Sequence, residues 1–224
     1  MVRSARLVRS SAIAAVKRGK CMTLFSYVVA RDYGFAPNPF FGCCTLATCK
    51  PNIRRVAAKG DWIVGTGGAA RDKTGFLIFA MCVTETMTFN EYWEDPRFQQ
   101  KKPSLRGSIK QAFGDNIYIK DARGHWIQQN SHHSYAGGLP NPHNIANDTK
   151  TERILVSKDY AYWGGSGPKI PKRLRNWGGI DICAGRGHKS QQLPAALVDE
   201  FIAWFRSLGK SGYQGAPLEW SIMP

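Results

Sequence analysis

The chain has 224 residues, 43% hydrophobic and 21% charged, a composition typical of a globular protein and not of a disordered one. No apolar run reaches the roughly 18–20 residues that a membrane-spanning helix needs, so no membrane segment is expected. The formal net charge of +15 favours a polyanionic partner. We predict that this partner is a nucleic acid, DNA rather than RNA, or a nucleotide. A charge that serves only solubility is the alternative.

The first 21 residues form a distinctly basic segment. They contain six Lys or Arg and no acid, and +9 of the net charge remains without them. This segment has three interpretations: a transit peptide, a nucleic-acid-binding arm, or an extension ahead of a domain that starts at Met22. We favour the last, because the strand-like "MTLFSYVVA" follows at once. We therefore expect a basic extension at 1–21, disordered or not native, and a single domain at 22–224.

The elements are predicted in chain order from apolar runs and turn residues. "LFSYVVA" predicts a buried first strand, and Pro51 and Gly60 bracket a helix at about 52–59. "DWIVGTGG" predicts a short strand and "GFLIFAMCVTET" the most apolar, central one. "NEYWEDPRF" predicts one helical turn broken at Pro96, and "DNIYIK" and "RILVSKDYAYW" two further strands.

The last strong element is a helix over "PAALVDEFIAWFRSLG", which Pro194 opens and Gly209 closes. Six apolar residues at helical spacing predict a face that packs on the core: Leu197, Val198, Phe201, Ile202, Phe205 and Leu208. The order of elements predicts an α/β (α+β) fold with a curved mixed or antiparallel sheet flanked by helices. Whether the sheet is barrel-like stays open. The polar stretches 97–113 and 132–151 lack periodicity, and loops of that length are usually functional or mobile.

The stretch "RDYGFAPNPFFG" cannot form a helix, because Pro37 and Pro39 hold its backbone extended. We predict a stiff loop that presents Arg31, Asp32, Asn38 and three phenylalanines. The side chain of Asn38 can read a base edge, and aromatic rings can stack on an unpaired base. The alternative is a structural plug, in which the rings fill one end of the core and Asp32 pairs with Arg31.

Three thiols lie close together in "CCTLATC", directly before Lys50. Zinc would need a further ligand, from His132, His133 or His143, and the cysteines lack paired C-x2-C spacing. A nucleophilic thiol would need a neighbouring base and partial exposure. We favour small buried packing residues, with no metal and no cofactor. Six irregularly spaced cysteines fit reduced thiols in a cytoplasm better than a disulfide framework.

Three further segments could contact a ligand. "NSHHSYAGG" and "NPHNIAND" contain three of the five histidines, and histidine with Asp148 could provide acid–base chemistry, although an ordinary surface loop fits equally well. "GRGHKS" lacks the Walker spacing but could contact phosphate. "YAYWGGSGPKIPKRLRNW" interleaves aromatic and cationic residues, as a surface for phosphates and bases does, unless Trp163 belongs to the core.

An ordered series of motifs resembles the nucleotide modification associated domain 2 family from about residue 24 to about residue 170. The motifs are "RDYGFAPNPFFGCCTLATCKP", "GDWIVGTG", "YWEDPRF", "KKP", "GDNIY" and "SKDYAYWG". The family occurs with DNA-modification and phage-related gene systems, so the resemblance implies association with chemically altered nucleotides without naming a reaction. The motif positions to inspect are Arg31, Asp32, Asn38, Cys49, Lys50, Asp61, Trp62, Tyr92, Trp93, Asp95, Arg97 and Phe98.

Together these observations predict a domain that binds a modified base or nucleotide in an aromatic and polar pocket. The expected ligand-binding residues are Arg31, Asp32, Asn38, Lys50, Trp62, Trp93, Arg97 and Trp163. The alternative is an enzyme that uses Asp32 or Asp95 as acid or base, with His132 and His133 as further candidates. A structural partner of a DNA-modification enzyme, with no ligand of its own, is a third. If Asp32 and Asn38 serve a ligand, replacing either by alanine leaves the Tm nearly unchanged.

Overall fold

The computed structural model describes residues 22–183, 185, 188–189 and 193–222, with only the backbone of 188, 189 and 222. The strands are β1 (Leu24–Val29), β2 (Cys44–Leu46), β3 (Trp62–Gly67), β4 (Leu77–Cys82), β5 (Glu85–Met87), β6 (Tyr118–Lys120), β7 (Trp126–Gln128), β8 (Ile154–Ser157), β9 (Asp159–Tyr162), β10 (His188–Lys189) and β11 (Gly212–Tyr213). The α-helices are α1 (Pro51–Val56), α2 (Phe89–Glu94), α3 (Ile109–Ala112), α4 (Pro142–Asp148), α5 (Lys172–Arg175) and α6 (Ala195–Ser207).

The main sheet has six strands in the order β10-β1-β3-β4-β9-β11. β1 runs parallel to β3, and β9 parallel to β11, while the remaining neighbours are antiparallel. β2, β8 and β5 form a second, antiparallel sheet, and β6 pairs with β7. The predicted α+β fold with a mixed sheet is therefore confirmed. Among the described strands the sheet does not close into a barrel.

Two long predicted strands each divide between two sheets. "GFLIFAMCVTET" contains β4 in the main sheet and β5 in the second, and "RILVSKDYAYW" contains β8 and β9 in the same way. Both segments change sheet at the same level, where Oγ of Ser157 lies 2.6 Å from the carbonyl oxygen of Cys82 and 2.8 Å from that of Asp159, within reach of either as a donor. The prediction of one continuous strand in each segment is wrong.

The main sheet has an apolar core on each face. Alternating residues of β3 point to opposite faces: Trp62 and Val64 pack with α6, whereas Ile63 packs with Tyr27, Phe79 and β2. On α6, four residues of the predicted apolar face are buried, and Ile202 and Leu208 pack partly buried against the same cluster. The prediction that this face belongs to the core is confirmed.

A third apolar cluster lies under the smaller sheets and includes Phe35, Phe89, Phe113 and Tyr118. The polar stretches 97–113 and 132–151 pack around it as short capped helices. Ser108 forms a capping box with Gln111 at α3, and the side chain of Asn141 caps α4. These stretches therefore have a defined backbone and can hold functional groups at fixed positions. No described helix is long and apolar enough to span a bilayer.

Candidate active site

A pocket opens at the carboxyl end of β1, which runs parallel to β3. Ligands of α/β sheets commonly bind at the carboxyl ends of parallel strands. Its volume is about 250 Å³. It is lined by Tyr27, Val28, Val29, Ala30, Arg31, Tyr33, Phe35, Ala36, Cys49, Lys50, His132 and His133. Ligand pockets typically measure roughly 300–1,000 Å³, so this one admits a single small group such as a base rather than a polymer.

Cys49 reaches this pocket from a sharp turn between β2 and α1. Its φ is 56° and that of Lys50 is 42°, so two consecutive non-glycine residues are left-handed. Such backbone persists only where surrounding contacts hold it, and it clusters at functional sites. One of these contacts is the Cys49 backbone N–H, which donates to Oδ1 of Asp148 at 2.8 Å. The turn leaves the thiol half-buried in the pocket wall.

His133 lies between the thiol and a buried carboxylate. Its Nε2 is 3.8 Å from Sγ of Cys49, and its Nδ1 is 2.7 Å from Oδ2 of Asp148. The backbone carbonyl of His133 accepts hydrogen bonds from Gln128 and Asn144, which fix the ring's position. Burial opposes the charged ring, but the hydrogen bonds and charges of Asp148 and Cys49 outweigh it and raise the pKa of His133 to about 9.

Asp148 is the last residue of α4 and is fully buried. Besides the contacts to Cys49 and His133, its Oδ2 accepts a hydrogen bond from the Tyr118 hydroxyl at 2.9 Å. A carboxylate with three partners has one fixed orientation. The order Cys49–His133–Asp148 is that of a nucleophile, a base and the group that orients the base.

The fully buried guanidinium of Arg54 joins two of the three segments that carry the triad. Its Nε donates to the Cys49 carbonyl at 2.9 Å, and its Nη2 donates to the Asp148 carbonyl. Burial lowers the pKa of Arg54 to about 10, with the charge of Asp148 acting against that. A kinked turn and a helix end distant in sequence are thus held together by one side chain.

The same three residues could also be considered as metal ligands, since their donor atoms lie within 4.8 Å of one another. However, the Asp148 carboxylate lies on the Nδ1 side of His133, whereas Cys49 lies on the Nε2 side. An ion between Sγ and Nε2 would thus have two direct protein ligands, with Asp148 behind the imidazole. Catalytic zinc sites usually offer three, so the geometry fits a triad better than a zinc centre.

The rim of the pocket is cationic and aromatic. Nζ of Lys50 lies 4.5 Å from the centroid of the Tyr27 ring, and burial lowers the pKa of Lys50. The ring of His132 packs at 4.4 Å from Tyr33 and also against Phe35. Partial burial by these rings, with the charges of His133 and Arg31, lowers the pKa of His132, so this ring is neutral where His133 is charged.

The family model of the nucleotide modification associated domain 2 matches residues 21–224, which include the whole pocket and triad. The chain belongs to this family. The match confirms the resemblance seen in the motifs and extends it beyond residue 170 through α6. The name of the family associates it with nucleotide modification. Searches of the curated proteins and of the solved structures find no significant match to the chain.

In this family member, Arg31 and Lys50 line the pocket as predicted candidates, but Asp32 is not among its lining residues. Asp32 is 2% exposed. Its carboxylate accepts hydrogen bonds from the Tyr162 hydroxyl at 2.6 Å and from the Leu218 backbone N–H at 3.1 Å. It thus ties the loop to β9 and to the chain's last described turn, and it does not pair with Arg31.

Asn38 is fully buried and holds the loop from inside. Its Nδ2 donates to the Phe113 carbonyl at 3.0 Å, and its Oδ1 accepts from Nζ of Lys101 at 2.7 Å. Phe35 and Phe40 are buried as well. The burial of Asn38 and Phe40 favours the structural plug for the end of the stretch, and we therefore expect alanine at Asp32 or Asn38 to lower the Tm.

The predicted stacking tryptophans lie away from the pocket. Trp62 and Trp163 are core residues that pack against Phe205. Trp93 is covered by Lys102, whose Nζ lies 3.7 Å from the ring centroid. Arg97 forms ion pairs with Asp95 and Glu85 on the surface. Asp95 is therefore held by a neighbouring cation rather than placed in the triad's pocket.

Among the residues whose side chains the structure describes, none from the other two basic segments lines the pocket. Tyr160, Tyr162 and Trp163 of the aromatic segment are buried, and Arg173 and Arg175 pair with Glu200 and Asp181. In "GRGHKS", Arg186 lies outside the described residues. Of His188 and Lys189 the structure describes the backbone, which pairs with β1.

Of the four acid–base candidates, His132 and His133 lie in the pocket, and only His133 contacts both a nucleophile and a carboxylate. The sequence favours a packing role for Cys49, because a nucleophilic thiol needs a neighbouring base. That base is 84 residues away in the chain, and Asp148 is 99 residues from Cys49. The left-handed turn that exposes the thiol has no sequence signal, because neither Cys49 nor Lys50 is glycine or asparagine.

Proposed function

We propose that this chain is a thiol-dependent enzyme of nucleotide modification, with Cys49 as its nucleophile. His133 is the proton carrier, and Asp148 keeps the imidazole in the required tautomer and orientation. The observation that carries this proposal is the continuous contact from Sγ through the imidazole to a buried carboxylate, on the wall of the pocket at the end of β1.

The proposed reaction begins with His133 charged and Cys49 as the thiolate, a pairing that an adjacent imidazolium favours. Sγ attacks an electrophilic carbon of the substrate and forms a C–S bond. The leaving group departs with the proton from Nε2 of His133. Water or another acceptor then gives a proton back to Nε2 and displaces Sγ, which restores the thiolate and imidazolium. No oxidant or reductant is consumed.

The substrate class follows from the family and from the pocket walls. The family's name associates it with nucleotide modification, and the rings of Tyr27, Tyr33 and Phe35 provide apolar walls that suit a planar base. We therefore propose that the pocket takes one base or nucleotide, modified or to be modified. The chain's charge of +15 supports nucleic acid, DNA before RNA, as the source of that nucleotide.

Conversion assays with and without the thiol test the proposal. The full chain is incubated with nucleoside monophosphates and with single-stranded oligonucleotides that carry 5-substituted pyrimidines, and products are identified by mass spectrometry. We expect conversion of one class and its loss in Cys49→Ser. Cys82→Ser, which changes a half-buried cysteine of β4 outside the pocket, is the matched control and should retain conversion.

Conversion that persists in Cys49→Ser would show that the chemistry lies elsewhere. Saturable binding of a base without conversion, unaffected by Cys49→Ser, would instead support a binding protein with the same aromatic pocket.

A further inference from the structure

We infer that Arg31 and Lys50 form an anion subsite beside the Cys49 thiol, and that it binds a phosphate group of the substrate. This rests on the proposed function for the identity of the substrate, but the presence of the subsite can be tested without turnover. The aromatic walls alone would accept a neutral base, whereas Arg31 and Lys50 would select a substrate that also carries a negative charge.

Arg31 is an exposed cation on the pocket rim without a carboxylate partner. Among the described residues it makes no hydrogen bond or ion pair, although other arginines of the chain do. Carboxylates pair with Arg71, Arg97, Arg173, Arg175 and Arg206. The planar guanidinium donates in a fork that matches phosphate geometry, so an unoccupied guanidinium at a pocket mouth suits a phosphate.

Lys50 is fixed towards the same space by the backbone. Its left-handed conformation, directly before Pro51 at the start of α1, sets its side chain against the Tyr27 ring rather than out in solvent. Burial lowers its pKa, and among the described residues the only influence that opposes this shift comes from Cys49, not from a carboxylate. A partly desolvated ammonium without a carboxylate gains a charge-assisted partner when an anion enters.

The pocket has no acidic residue among its described lining. The nearby carboxylates point away from the pocket. Asp148 contacts Nδ1 of His133, on the side of the imidazole opposite the thiol, and Asp32 accepts a hydrogen bond from Tyr162 inside the core. With Arg31 and Lys50 beside the charged His133, a neutral His132 and aromatic walls, the pocket combines the partners of a base and of a phosphate. That phosphate could belong to a free nucleotide or to a nucleic-acid backbone.

Alkylation of Cys49 by iodoacetate and by iodoacetamide measures the subsite directly. The two reagents differ in charge, and peptide mass spectrometry of the full chain reports the rate at Cys49 alone. We expect the iodoacetate-to-iodoacetamide rate ratio to exceed that of free cysteine severalfold and to fall towards it in Arg31→Gln and in Lys50→Gln. A change in thiolate content affects both reagents equally and cancels in the ratio.

Arg55→Gln and Lys59→Gln are the matched controls, because both side chains are exposed near α1 and outside the pocket lining. They should leave the ratio unchanged. A ratio that equals that of free cysteine, or that neither pocket variant alters, would overturn the anion subsite.

Protection experiments then identify the source of the phosphate. A nucleoside monophosphate that protects Cys49 from iodoacetamide better than its nucleoside, with the difference lost in Arg31→Gln, supports a free nucleotide. Protection only by a single-stranded oligonucleotide, again lost in Arg31→Gln, supports a backbone phosphate. Equal protection by nucleoside and monophosphate would overturn the inference. If the iodoacetate-to-iodoacetamide ratio equals that of free cysteine but the chain still converts substrate, only the anion subsite is refuted. If the ratio is raised but no substrate is converted, only the proposed reaction is refuted.

Discussion

Asp148→Asn is expected to lower turnover about 10⁴-fold, the loss seen when the acid of a serine protease triad becomes its amide. The asparagine oxygen can still accept the Cys49 backbone N–H that Oδ1 accepts at 2.8 Å. Its amide NH₂ would face Nδ1 of His133 and donate to it. The imidazole then carries its proton on Nε2, the nitrogen that faces the thiol, and cannot accept another there.

Asp121→Asn provides the matched control for this substitution. Asp121 contacts His125 in an exposed turn, at 3.4 Å between Oδ2 and Nδ1, so the same kind of pair is changed outside the pocket. Turnover should stay within twofold, and circular dichroism should show both variants folded. An Asp148→Asn protein that is folded and keeps more than a tenth of its turnover would contradict the role given to Asp148.

Lys101→Met is expected to reduce the free energy of unfolding by about 3–5 kcal/mol, because it leaves the buried Asp115, which Lys101 reaches through Thr45, without the charge of Lys101. Lys101 is fully buried, and its Nζ donates to Oδ1 of Asn38 at 2.7 Å and to Oγ1 of Thr45 at 3.1 Å. The same threonine donates to Oδ2 of Asp115 at 2.6 Å. Burial raises the pKa of Asp115, and the charge of Lys101 opposes that rise.

The neighbouring Lys102→Met tests whether burial is the cause. Lys102 lies over the Trp93 ring near the surface, a cation–π contact worth about 0.5–1 kcal/mol at exposed sites. Urea unfolding of both variants in the same buffer gives the comparison. Similar small losses for the two lysines would show that the buried network does not hold the loop.

Strands and the last helix could be predicted because their signals are local. Apolar runs predict β1, β3 and β4, and the helical spacing of Leu197, Phe201 and Phe205 predicts the buried face of α6. The division of β4 from β5 was not predictable, since the contact at that level joins Ser157 to Cys82 across 75 residues. Hydrophobic pattern alone does not show where a run changes sheet.

The polar residues of "RDYGFAPNPFFG" show the same limit. A loop that presents them and a plug that buries them have the same composition. The difference lies in distant partners, because Tyr162 binds Asp32 across 130 residues and Lys101 binds Asn38 across 63. The resulting loop is mixed in role: Arg31, Tyr33 and Phe35 face the pocket, and the segment after them fills the core.

The candidate site was only half accessible from sequence for a related reason. Cys49, Lys50, His133 and Asp148 are each candidates from sequence, and histidine with Asp148 is one predicted source of acid–base chemistry. What decides the chemistry is that a thiol, an imidazole and a carboxylate from three separate segments converge, and Arg54 holds two of those segments together. Neither spacing nor composition carries that information.

The pH dependence of Cys49 alkylation by iodoacetamide tests the triad most directly, since it needs no substrate. His133, with its pKa raised to about 9, is charged at neutral pH and favours the thiolate until the pH rises through that value. His133→Gln removes that positive charge from beside Sγ of Cys49, so alkylation at pH 7 should slow, by at most about thirtyfold because an ordinary thiol is a few per cent thiolate there. The difference between the two proteins should close as the pH rises through about 9, where His133 loses its charge. Superimposable profiles for the unaltered chain and His133→Gln would contradict the triad.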